Sequence, residues 1–143
     1  MLIRECAAAD FESIWLLNET AFGYKYDLGK TQKRLDMILN RQADKILVAC
    51  IEDEIVGYIH GNDYECTYSD SLKNIMSIAV DESRRGQGIG KALLSSIEIW
   101  AKDCGCCGVR LVSGSDRTGA HEFYLACGYT NRKQQKNFIK YFD

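Results

Sequence analysis

The stretch "RRGQGIGKALL", residues 84–94, limits the fold more than any other part of the chain. Two arginines lead into three glycines at alternate positions, and an apolar run at helical spacing starts at once. Leu93, Ile97, Trp100 and Cys104 share one helical face, joined by Leu94 and Ala101, and Gly105 is placed to end the helix. A strand, "LKNIMSIAV" (72–80), precedes the turn, and another, "CGVRLVS" (107–113), follows the helix. Two strands joined through one helix imply a parallel pair. The turn also has the chemistry of an anion site. A helix start offers unpaired N–H groups and the positive end of the helix dipole, and glycines let an anion reach the backbone.

The remaining segments frame this unit. "LIREC" (2–6) reads as a strand. A helix over 10–22 places Phe11, Ile14, Trp15 and Leu17 or Asn18 at helical spacing, with Asp10 as its N-cap. The loop "GYKYDLG" leads to a second amphipathic helix, 30–42, with Leu35, Ile38 and Leu39 on its apolar side. Strands 45–52 and 54–65 form a hairpin across Asp53 and Glu54, and "CTYSDS" (66–71) is a loop. "GSDRTG" is a turn capped by Asp116 or Thr118, and "AHEFYLAC" (120–127) is a helix closed by Gly128. Residues 129–142 are expected as one strand or a hairpin. The order is β-α-α-β-β-β-α-β-α-β, an α+β layout in a single domain over 1–143.

Composition narrows the function classes. Apolar residues make up 46% and charged residues 27%, as in soluble domains. No run reaches the ~18 apolar residues of a membrane span, and "MLIRECAAAD" lacks a signal-peptide pattern. A net charge of −2 argues against a general nucleic-acid binder. Seven cysteines, an odd number, fit reduced thiols in the cytoplasm better than a disulfide framework. "CGCC" (104–107) has no second Cys or His cluster at ligand spacing, so no metal is expected. Charge is uneven: eight acids stand against one base from Glu52 to Glu82, and ten bases against four acids from Arg84 to Phe142. That asymmetry fits an anionic ligand on one side and a cationic one on the other, or chance.

Two phosphate motifs fail on inspection. A P-loop needs a hydroxyl after Gly-Lys, and Ala92 follows Lys91. A dinucleotide fingerprint needs its third glycine where Lys91 stands, and the downstream acid is missing. "VDESRRGQGIGKALL" instead resembles the pyrophosphate-binding segment of the GNAT superfamily of N-acetyltransferases, Arg/Gln-x-x-Gly-x-Gly/Ala, here Arg85-Gly86-Gln87-Gly88-Ile89-Gly90. "SGSDRTGAHEFYLACGY" resembles that family's second cofactor segment, with Phe123-Tyr124 and Gly128-Tyr129 at the matching places.

The resemblance implies a mainly antiparallel central sheet flanked by helices, with a splayed parallel strand pair holding acetyl-CoA as co-substrate. By position, the backbone from Arg85 through Gly86, Gln87, Gly88, Ile89, Gly90 and Lys91 cradles the pyrophosphate. Strand residues Ile78, Ala79 and Val80 border the pantetheine arm, with Ile78 and Val80 pairing through their main chain. Ser113, Ser115 or Arg117 reaches the cofactor. Tyr124 serves the leaving thiolate; without the resemblance it reads as core beside Ala120, Phe123 and Cys127. Met76 and Ser77 stand where many members carry a Glu, which leaves Glu65, or Asp63, as candidate base acting through water. The implied activity is acetyl transfer to a primary amine on a cationic small molecule or peptide. The alternative is an acyl-CoA-binding module without transfer. No nucleic-acid or membrane partner is expected, and a homodimer is left open.

Overall fold

Period-two alternation builds the sheet that carries the glycine turn. In the computed structural model, which describes residues 1–143, five strands lie in chain order, β1-β2-β3-β4-β5. β1 (Leu2–Glu5), β2 (Asp44–Ile51), β3 (Glu54–Cys66) and β4 (Ser69–Val80) pair antiparallel. β5 (Gly108–Leu111) pairs parallel to β4. Chain contacts divide into two units, Met1–Leu111 and Val112–Asp143.

The stretch 66–71, expected as a loop, is largely strand. Cys66 pairs with Ser69, so β3 and β4 form one long hairpin with a short turn. The expected turn across Asp53 and Glu54 sits one residue earlier. Glu52 and Asp53 both take the left-handed conformation, and Glu54 opens β3.

Register assigns the faces. An added Cβ at Gly57 would meet Ile89 and Leu93, and one at Gly61 would meet Ile97 and Trp100, so these glycines face the helix after the turn. Tyr58 packs with Ile14, Leu17 and Leu35 on the opposite face. On β4, Ile75 pairs with Gly61 and Ser77 with His60, leaving Met76 as the extra residue of a bulge. The alternation changes phase there. Lys73, Ile75, Ile78 and Val80 share one face, and Leu72, Asn74, Ser77 and Ala79 share the other.

α3 (Ile89–Asp103) lies against the first of these faces and buries Ile89, Leu93, Leu94, Ile97 and Ala101. Full burial stabilises by roughly 1.5–3 kcal/mol for each large aliphatic side chain. Cys104, expected on this face, is exposed just past the helix end. Gly105, at φ 76, ends the helix as expected: its N–H bonds Lys102 O and that of Cys106 bonds Ala101 O.

α1 (Phe11–Phe22) and α2 (Leu28–Leu39) cover the other face. Asp10 precedes α1 but makes no capping bond to it. Its carboxylate instead accepts from the Ala7 N–H and pairs with both Arg4 guanidinium ends at 2.8 and 3.1 Å. Asp27 caps α2 by accepting from the Lys30 N–H, so that helix starts at Leu28 and takes in Gly29.

In the second unit, α4 (Thr118–Ala126) follows Arg117 at the N-cap position, and no side chain caps it, neither Asp116 nor Thr118. Gly128, at φ 90, follows its end. The strand or hairpin expected over 129–142 is not formed. A strand is held by a ladder, and these residues pair with none.

Candidate active site

The glycine turn has open space in front of its backbone. Asp81 accepts from the Ser83 N–H at 3.0 Å and starts a short 3-10 turn, Glu82–Arg84. Gly86 and Gly88 then take φ 80 and 81, a region that penalises any side chain, and an added Cβ at either meets nothing within 4 Å. Gly88 is the N-cap of α3 and offers no capping side chain. The first helical bond runs from the Ala92 N–H to Gly88 O, so the N–H groups of Ile89, Gly90 and Lys91 come before it without helical partners. Ile89 anchors the turn through a side chain only 2% exposed. Gly90 lies inside the first helical turn and is not left-handed. Arg85, Gly86, Gln87, Gly88 and Lys91 are exposed. Arg84 and Arg85 reach acids only at 3.8 and 4.0 Å.

Beyond the turn, the parallel pair splays. β5 pairs with β4 only from Leu72 to Ile75, and Met76–Val80 continue without it. The Asp81 N–H bonds Val56 O, which sets the alternation of this ladder. Ala79 therefore turns its main-chain groups to β3, and Ile78 and Val80 turn theirs to the open edge. This corrects the expectation for Ala79, whose side chain is also buried, at 3% exposure, in the α1–α2 core.

The acids do not converge on the splay. Glu65 is exposed at the hairpin end, where its Oε2 accepts from Ser71 Oγ at 3.0 Å. It is level with Ser71, five residues and roughly 16 Å along the strand from Met76. Asp63 pairs with Lys73 at 2.5 Å, and that ammonium sits 4.0 Å from the Trp100 ring centroid on the α3 face. Burial works most strongly against the Lys73 charge, but the hydrogen bond and the charge of Asp63, with smaller contributions from the nearby cysteines, together outweigh it and hold the amine above its ordinary range. Glu65 is thus not positioned as a base at the opening, and Asp63 is held by its ion pair. The other acids of the 52–82 segment are spread over the β2–β3 turn, the hairpin tip and the 3-10 turn.

A different group of residues lines the opposite face beside the bulge. Ser77 Oγ donates to the Tyr58 hydroxyl at 3.1 Å, and that hydroxyl donates to Asn18 Oδ1 on α1. Burial pushes the Tyr58 phenol up. Asn18 also lines a cleft of about 280 Å³ with Trp15, Tyr24, Tyr26 and Thr31. Trp15 Nε1 donates to Tyr26 O at 2.7 Å and pins the loop. His60 is half-buried, with Nε2 3.6 Å from Asp44 Oδ1, and burial lowers its pKa. None of these residues was singled out for function from the sequence. The Tyr-bearing loop "GYKYDLG" was the available signal for the cleft.

In the second unit, Tyr124 is half-buried, and its ring lies against Phe123 at 5.4 Å and Tyr129 at 6.2 Å between centroids. Burial raises its pKa, Arg117 pulls the other way, and the phenol is protonated at neutral pH. Ser115 and Arg117 are exposed in the turn before α4, and Ser113 Oγ is buried without a hydrogen-bond partner. His121 Nε2 lies 2.8 Å from Gly114 O, a structural contact. No three His, Cys, Asp or Glu side chains group to hold a metal.

Known proteins resemble this chain in sequence and fold. The model of the acetyltransferase (GNAT) family matches residues 8–129, across both units. An aminoglycoside N(6')-acetyltransferase type 1 of Stenotrophomonas maltophilia is 27% identical over 132 residues, covering 89% of this chain and 84% of that protein. A streptothricin acetyltransferase of Escherichia coli is 33% identical over 82 residues, 57% of this chain, and the match spans only 45% of that relative. The crystal structure of an aminoglycoside acetyltransferase from an uncultured soil metagenomic sample superposes with a TM-score of 0.81 at 27% identity, covering 99% of this chain and 96% of that one. The glycine turn before α3, the splayed β4–β5 pair and these matches together make the chain a member of the GNAT family of acetyltransferases.

Proposed function

We propose that the chain transfers an acetyl group from acetyl-CoA to a primary amine. The observation that carries this reading is the pairing of an open, left-handed glycine turn with an open main-chain edge at Ile78 and Val80. The residues fit the co-substrate. N–H groups at the start of α3 suit a pyrophosphate, and two exposed main-chain amides suit a pantetheine arm. Bound there, acetyl-CoA supplies an activated acyl carbonyl and a thiolate leaving group.

The chain's own residues then have three tasks. Arg85 to Lys91 hold the anion, main chain first. Ile78 and Val80 fix the arm along β4. Tyr124, protonated at neutral pH, gives its proton to the departing sulfur as the amine nitrogen bonds the carbonyl carbon. The amine must shed a proton as well; that proton passes to solvent water, and Ser77, beside the bulge and hydrogen-bonded to Tyr58, can accept a hydrogen bond from the amine as it leaves.

The acceptor is read as a cationic amine. The name of the Stenotrophomonas relative, an aminoglycoside acetyltransferase, supports this. So does the aromatic cleft of Trp15, Tyr24 and Tyr26, because aromatic faces attract ammonium groups. The acid-rich segment gives no such support, since its carboxylates are dispersed. All seven cysteines are free thiols, which fits a reducing cytoplasm, and no helix is long and apolar enough to cross a membrane. A binding module without transfer is favoured by one observation: no carboxylate stands at Met76 or Ser77, beside the splay. A panel of amine acceptors, scored by free CoA release from acetyl-CoA, separates the two. Release that depends on an amine supports transfer. Tight acetyl-CoA binding with no release for any amine supports the module.

A further inference from the structure

A polar row crosses the sheet on the face that carries α1 and α2. Asp44 on β2 pairs with Asn62 on β3, Asn62 with Asn74 on β4, and Asn74 with Arg110 on β5. Arg110 Nη1 donates to Asn74 Oδ1 at 2.6 Å, and Asn74 Nδ2 donates to Asn62 Oδ1 at 3.1 Å. The direction is forced. A guanidinium only donates, so Asn74 must turn its oxygen to Arg110 and its nitrogen to Asn62. The guanidinium also sits over the Tyr64 ring, 4.2 Å from the centroid.

The two ends of the row differ in charge balance. Asp44 is paired with Arg41 at 2.9 Å. Arg110 is half-buried and has no carboxylate within 4.0 Å. Its Nε is buried without a hydrogen-bond partner. Asp44 is three strands away, roughly 14 Å at the usual strand spacing. Arg110 has therefore given up part of its hydration for neutral partners and an aromatic face, with no counter-charge. Tying β5 to β4 needs only one donor. A planar fork fixed by Asn74 and Tyr64, with Nη2 still free, matches a carboxylate.

Its position gives this charge a use. Asn74–Arg110 is the last pair but one before the strands part. Six residues of β4, roughly 20 Å, separate Asn74 from Val80 and the glycine turn. On the acyl-transfer reading above, on which this inference rests, Arg110 stands at the acyl end and not the phosphate end. We propose that Arg110 docks a carboxylate there. It belongs either to an acceptor of the amino-acid type or to the acyl group of a dicarboxylic acyl-CoA.

Matched pairs test this. The acceptor arm compares kcat/KM for an α-amino acid and its uncharged amide, with acetyl-CoA as donor. The donor arm compares succinyl-CoA and acetyl-CoA on one uncharged amine. A carboxylate preference of about tenfold or more is expected in one arm, and the arm names the source. Arg110→Gln, which can still donate to Asn74, should collapse that ratio to near one through KM, and Arg110→Lys should restore part of it. Circular dichroism checks that both variants fold. A ratio near one in both wild-type arms, or a ratio that Arg110→Gln leaves intact, overturns the proposal. Calorimetry with the amino acid, its amide and the two acyl-CoAs is read whether or not turnover occurs. Carboxylate-dependent affinity that Arg110→Gln removes supports the dock even if transfer fails, and its absence overturns the dock even if transfer is found.

Discussion

Single residues divide into those that act on charge and those that hold charge. Tyr124 acts. Its hydroxyl matters most when charge develops on sulfur, so Tyr124→Phe should lower kcat by roughly 10²–10⁴-fold with little change in acetyl-CoA affinity. Burial raises the phenol pKa, so the acid form persists through neutral pH, and the wild-type rate should not fall on the basic side until the pH passes the ordinary phenol range. An unchanged kcat in the phenylalanine variant, with chemistry as the slow step, would return Tyr124 to a packing role. Asp63 holds. It neutralises a lysine only 6% exposed. Asp63→Asn should destabilise by about 1–3 kcal/mol, because a buried cation loses its partner while the other side is half open to water. Glu65→Gln should cost about 0.5 kcal/mol or less, as expected for an exposed side chain. Urea melts measure both; equal losses would contradict the difference in environment.

Elements meet at backbone distance where β3 passes under α3. A Cβ at Gly57 would lie 2.9 Å from Ala79 O and 3.3 Å from Ile89 and Leu93 side chains. The carbonyl cannot yield without moving β4, so Gly57→Ala should destabilise by about 1–3 kcal/mol and loosen the edge at Ile78 and Val80. A wild-type melting midpoint in this variant would show that the sheet has slack there. The close approach was invisible in "EIVGYIHG", where Gly57 reads only as a strand glycine. Strand–turn–helix–strand over 72–113 was legible because spacing within one segment carries it. The two left-handed glycines at 86 and 88 agree with that reading. What spacing could not give was register. The Met76 bulge, the separation of Glu65 from the splay and the Asp44–Arg110 row all depend on which residues face each other across strands. Capping misled for a similar reason. Asp10 suits an N-cap by type, but Arg4 and the Ala7 N–H claim its carboxylate from outside the helix. Residues 129–142 carry strand-forming side chains, and propensity without a ladder partner does not make a strand.

At the scale of the whole molecule, stability should depend on acid in a defined window. The Arg4 hydrogen bond holds the Asp10 carboxyl below its ordinary 3.8, against some desolvation and with help from the Ala7 N–H. A depressed carboxylate stabilises the fold above its unfolded pKa and loses that contribution as pH falls through the folded value. Stability should therefore drop below about pH 3.8, and Asp10→Asn should lose on the order of 1 kcal/mol at pH 7, with the gap closing in strong acid. Urea midpoints against pH check the sign; a gap that widens in acid would contradict it. The central claim is that the turn before α3 and the edge of β4 bind acetyl-CoA. Calorimetric titration of acetyl-CoA into the folded wild type tests it most directly, with thermal melts in parallel. Saturable binding is expected, with about 2.7 kcal/mol of added stability at ligand one hundred times Kd. Gly88→Val should lose it, since a branched residue at φ 81 is strained and fills the open space before the turn. A folded wild type that takes up no acetyl-CoA at millimolar concentration would contradict the account.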